Sequence, residues 1–139
     1  MPILTAIIRH PAWQSWGLLV ARIIIAGIFA MACVFKFMDI AATAGYIAAA
    51  GIPLSLPLAW VAAIFEVLLV LAFLSGAYMR EAALLATVYV VFLGFTFHGP
   101  SHWQANQAEF GFFVDHFTFA AGLLYMLAFG PGPLALKRG

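Results

Sequence analysis

The stretch that most constrains this chain runs from Leu58 to Leu74. It holds 17 residues, and all but Glu66 are apolar. A helix rises about 1.5 Å per residue, so the run is roughly one crossing of a hydrocarbon layer about 30 Å thick. Glu66 falls near its middle. A bare carboxylate at that depth costs about 2.5–3.5 kcal/mol or more. Its carboxyl is therefore expected to be protonated, ion-paired or turned toward a polar interior. Either it fixes helix packing or it takes part in ligand or proton handling, and the sequence leaves both open.

The rest of the chain fits the same medium. Of 139 residues, 66% are hydrophobic and only 8% charged, and the mean hydropathy is +1.09. Soluble domains carry about 25% charged residues, so a lipid bilayer is the expected surroundings. No basic run points to nucleic acid. The single cysteine, Cys33, excludes a disulfide framework and a CxxC redox pair within the chain. It reads as a small buried side chain. The segment from Trp16 is long enough to span and has no basic stretch just before it, which argues against a cleaved signal peptide.

Taken in order, the chain predicts an all-α bundle of four transmembrane helices, one membrane domain over 1–139. Residues 1–15 read as interfacial, with Ile3, Leu4, Ile7 and Ile8 as an apolar stripe, Pro11 as a break, and Trp13 and Trp16 as headgroup anchors. The spans are expected at about 16–38, 58–75, 82–98 and 112–129. Between the first two, Asp39 to Ala50 predicts a short interfacial helix stopped by Gly51, and Ser55 and Pro57 are expected to open the second span. Gly99-Pro100 ends the third span and Gly130-Pro131-Gly132-Pro133 the fourth. Arg9, Arg80, Lys137 and Arg138 fall on one side of the membrane. The loops at 39–56 and 99–111 fall on the other, with only Lys36 at their margin. Positive charge concentrates on the cytoplasmic side, so both termini are expected there, in the inner membrane of a bacterium.

Two constellations are candidates for chemistry. Arg22 lies ~9 Å and Glu66 ~13 Å from the same membrane face, close enough for an arginine to bridge. The pair would either hold the bundle together or present a cation and a proton acceptor to a quinone carbonyl. Arg80 is a second partner for Glu66, nearer the water. At the opposite face stand Lys36, Asp39, His98, His102, Asp115 and His116. One reading takes His98, His116 and either His102 or a carboxylate, Asp39 or Asp115, as ligands for Cu or Zn. The other has His98 hydrogen-bonded near Lys36, Asp39 or Asp115, as a rim group, a proton relay or a contact for a quinone head group. No haem-attachment motif, iron–sulfur cysteine set or dinucleotide fingerprint is present, so no intrinsic cofactor is evident and electrons would have to come from a protein partner.

The order and spacing of several pieces resemble the DoxX family of small four-helix membrane proteins. They are Arg22, Lys36-Phe37-Met38-Asp39, Gly51-Ile52-Pro53, Glu66, Gly76, Arg80, His98 and Gly130-Pro131-Gly132. The chain departs from the usual pattern at Asp115-His116, where Lys-Asn is common, and after Gly132, where Leu134-Ala135-Leu136-Lys137-Arg138 replaces Ser-Leu-Asp. The resemblance implies an integral membrane subunit of a quinone-linked oxidoreductase that anchors a redox partner and shapes a quinone site. Two other readings stand beside it: a non-catalytic assembly or stabilising subunit of a larger complex, and a periplasmic-side metal-handling protein. Whether the chain is itself an enzyme stays open.

Overall fold

The computed structural model describes residues 1–136. Lys137 and Arg138, counted above toward topology, lie outside the described residues. The described chain is helical, with four helices long and apolar enough to cross a membrane. These are α2 (Pro11–Met38), α4 (Ser55–Ser75), α5 (Met79–His98) and α6 (Ala108–Phe129), with α1 (Pro2–Ile8) ahead of the first and α3 (Ile40–Ala49) between the first two.

Each helix boundary has a local cause. Pro11 does end α1, but it also starts α2 five residues before the expected span. Proline suits a first helical position, and the Ala12 N–H donates to His10 Nδ1 at 3.2 Å. Asp39 Oδ1 accepts from the Ala42 N–H at 2.9 Å, so the aspartate expected in a functional cluster is occupied in capping α3. Gly51 takes φ +78° just past α3, the left-handed turn that glycine adopts without strain. Ser55 does not cap α4. Leu54 stands at that position with φ 56°, no side chain caps the end, and Ser55 and Pro57 both lie inside the helix. At the other end, α4 closes on Gly76 at φ +81°, whose N–H donates to Ala72 O at 2.8 Å. The fourth span starts four residues early because Asn106 Oδ1 accepts from the Ala108 N–H at 3.0 Å, and Glu109 sits in the first turn, where a negative charge suits the helix dipole.

Helices α2 and α4 pack along each other, as do α5 and α6, while α3 lies against α4. Ala82, Ala83 and Ala86 of α5 are buried beside Ala120, Leu123 and Met126 of α6, where small side chains let helix backbones approach closely. Phe29 joins the two pairs, its ring 6.0 Å from Phe73 and 5.2 Å from Phe119. Large apolar residues such as Ile23, Ile24, Leu68, Leu71 and Val88 stay exposed on the outer faces of the spans. Exposed apolar area of that extent is tolerated in a bilayer and not in water. The protein is a multi-pass membrane protein.

Candidate functional site

The centre of the bundle holds one buried carboxylate, and two elements converge on it. Glu66 lies in mid-α4 and is 2% exposed. Lys36, on the last turn of α2, reaches down to it with Nζ 2.8 Å from Glu66 Oε1. From α5, the Tyr89 hydroxyl donates to the same oxygen, also at 2.8 Å. Phe65 sets the Tyr89 ring by an edge contact at 5.1 Å between centroids. The second oxygen, Oε2, is buried and has no hydrogen-bond partner among the described residues. A buried carboxylate needs an opposite charge and hydrogen bonds on its lone pairs, and here only half of that need is met.

Two cavities border this cluster, and Glu66 itself lines the larger. One, of about 390 Å³, is walled by Thr43, Tyr46 and Ile47 of α3, by Phe65 of α4 and by Phe92 and Phe97 of α5. The other, of about 620 Å³, runs between α2, α5 and α6 and is lined by Glu66, Phe29, Asp115 and Phe119. Lys36, Tyr89, Leu93 and His116 belong to the walls of both. Volumes of this size suit a small organic ligand, and apolar walls with a few convergent polar groups are the usual make-up of such a site.

The expected Arg22–Glu66 pair does not form. Arg22 is 1% exposed. Its Nη1 donates to Phe73 O at 3.0 Å and Leu74 O at 3.1 Å, and its Nη2 donates to Leu134 O. Those acceptors explain the correction. The last carbonyls of a helix have no intrahelical donor and carry the negative end of its dipole, so they capture the guanidinium. They lie seven and eight residues beyond Glu66, ~10–12 Å along α4, and a cation held there does not reach the carboxylate. Arg80 is exposed and is no partner of Glu66 either. Its guanidinium packs beside Gly130, where an added Cβ would come within 3.0 Å of Nε.

The histidines separate from one another in role. His98 Nδ1 pairs with Glu109 Oε2 at 2.5 Å, and the Trp103 indole N–H donates to the His98 carbonyl at 2.8 Å. The partner of His98 is thus not Lys36, Asp39 or Asp115 but the first turn of α6. Partial burial, and secondarily the Glu109 carboxylate, push the Tyr46 phenol above its usual range, so it stays neutral. The His116 ring lies 5.0 Å from that of His98, and its Nδ1 is 2.7 Å from Phe112 O. Gly94 permits this approach of α6 to α5, since a Cβ there would stand 3.1 Å from His116 Cβ. His102 is exposed in the turn after α5, and Asp115 is exposed on α6. Among the described residues no three His, Cys, Asp or Glu side chains converge as metal ligands, so the proposed set of His98, His102 and His116 is not assembled.

Sequence reasoning missed Tyr89 and Glu109. A phenol in mid-span needs a hydrogen-bond partner, and that requirement was the available signal for Tyr89. Glu109 falls in the 99–111 stretch that reads as a loop, which gives no signal for its pairing with His98.

The family model for DoxX matches residues 17–99, from within the first span to just past the end of the third. That stretch contains Arg22, Lys36, Glu66, Tyr89 and His98. Comparison with curated proteins and with solved structures gives no match.

Proposed function

This chain belongs to the DoxX family, and from that premise we propose that it is the integral membrane subunit of a quinone-linked oxidoreductase. The supporting observation is the Lys36–Glu66–Tyr89 cluster at the junction of two apolar cavities. A quinone takes up two electrons and two protons at its carbonyl oxygens to become a quinol. The cluster offers what the protons and oxygens need: an ammonium and a phenol, each within hydrogen-bond reach of one carboxylate oxygen. The apolar walls suit the ring and its tail. Electrons would come from a protein partner, since the sequence carries no haem-attachment motif, iron–sulfur cysteine set or dinucleotide fingerprint.

A non-catalytic assembly subunit would be served best by a packed interior, and a cavity bordering a half-satisfied carboxylate weighs against that reading. Metal handling loses support with the scattered histidines. The test is binding. Purified protein in lipid nanodiscs is expected to bind a short-chain benzoquinone or its quinol saturably. Affinity should fall about tenfold or more when Tyr89→Phe and Lys36→Met are combined, since each removes a hydrogen-bonding group worth about 1 kcal/mol or more. Absence of saturable binding of either form would sink the proposal.

We further propose that both termini face the cytoplasm of a bacterial inner membrane, with α3 lying at the opposite interface. Arg9 and Arg80 support this orientation, as do Lys137 and Arg138 by sequence. Reporter fusions check it. A fusion after Gly139 should be active only for a cytoplasmic reporter, and one in the 99–111 loop only for a periplasmic reporter. The reverse pattern would invert the topology.

A further inference from the structure

The hydrogen-bonding inventory of the central cluster is lopsided, and the imbalance selects between the two forms of a ligand. Both donors on Glu66, Lys36 Nζ and the Tyr89 hydroxyl, converge on Oε1. Oε2 is buried without a partner, in a residue that lines the larger cavity. A carboxylate held by an ammonium can only accept, so Oε2 is an acceptor waiting for a donor. Lys36 lines both cavities, and an ammonium carries three N–H groups; among the described residues Glu66 is its one salt-bridge partner.

A quinone carbonyl can accept from Lys36 but has no hydrogen to give, so bound there it would leave Oε2 desolvated and unpaired. A quinol hydroxyl does both: it donates to Oε2 and accepts from Lys36. Leaving a buried charged acceptor unmade is more costly than making a neutral hydrogen bond is favourable. Resting on the quinone reading above, we infer that this site discriminates by redox state and holds the reduced, hydroxyl-bearing form, with Glu66 Oε2 as the specificity-determining atom. The preference expected from one hydrogen bond to a charged group is about tenfold or more.

Three ligands on the unaltered protein test this under anaerobic conditions: a short-chain benzoquinol, its oxidised quinone, and the quinol's bis-methyl ether. The ether keeps the acceptor oxygens and loses the hydrogens. The quinol should bind about tenfold or more tightly than the other two. Glu66→Gln supplies a sharper arm. Its amide oxygen can keep the Lys36 and Tyr89 bonds while its NH₂ takes the place of Oε2, which turns acceptor into donor. The preference should then reverse in favour of the quinone. Equal binding of quinol and quinone, or tighter quinone binding, in the unaltered protein overturns the inference and leaves the quinone site standing. Binding of none of the three overturns both. If Glu66→Gln does not fold, the three-ligand comparison decides alone.

Discussion

Replacing Lys36 with methionine will destabilise the protein by about 3–5 kcal/mol, the range for stranding one member of a buried ion pair. The size follows from which partner is left behind. Glu66 is 2% exposed in mid-helix and cannot move to water, whereas Lys36 is 21% exposed and sits in the last turn of α2. Removing the carboxylate instead, as Glu66→Leu, leaves a lysine whose long side chain can extend toward the interface. It should cost only about 1–2 kcal/mol. Combining Lys36→Met with Glu66→Leu removes both charges and should cost clearly less than the sum, with a coupling of about 2 kcal/mol. Chemical unfolding of the four proteins in one detergent measures the cycle. Additive costs would show that the 2.8 Å contact contributes nothing to stability.

Arg22→Leu should be the other severe change, at about 3 kcal/mol or more. It strands the buried carbonyl of Phe73 and removes the donor from the part-buried carbonyls of Leu74 and Leu134, and an unmade buried acceptor costs about 1–3 kcal/mol. Arg22 ties the segment after α6 to the end of α4, so the loss should also appear as faster hydrogen exchange across residues 130–136. Arg22→Lys should recover only part of the stability, since an ammonium lacks the planar fork that spans separate acceptors. Arg22→Leu and Glu66→Leu together should be additive to within about 0.5 kcal/mol, because the two groups share no partner. Strong coupling between them would restore the pairing that the sequence suggested.

These two clusters separate what local sequence specifies from what it does not. Four apolar runs of spanning length, each punctuated by glycine or proline, dictate four helices in any lipid environment, since lipid leaves backbone groups only intrahelical partners. The turns at Gly51, Gly76 and Gly130 were equally legible, each a left-handed position that favours glycine. So was the interior placement of Arg22 and Glu66, for charges in a span cannot face hydrocarbon. Helix starts were less legible, because the side chains of His10 and Asn106 and the backbone turn at Leu54 set them, and the hydropathy pattern records neither.

The pairing of the charges was decided by the tertiary structure. From the sequence, Arg22 and Glu66 looked matched because depth along the membrane was the only coordinate available. Depth does not tell which neighbour a side chain faces, nor that the end of α4 offers carbonyls to a cation. Lys36 looked like a rim residue, yet the antiparallel packing of α2 on α4 brings it over Glu66. Tyr89 joined the site only because α5 turns it toward Glu66. Composition and periodicity thus determined that the chain spans a membrane with buried charge inside. Which cation meets which anion, and which carboxylate oxygen is left without a partner, depended on helix rotation and contact, which no single segment encodes.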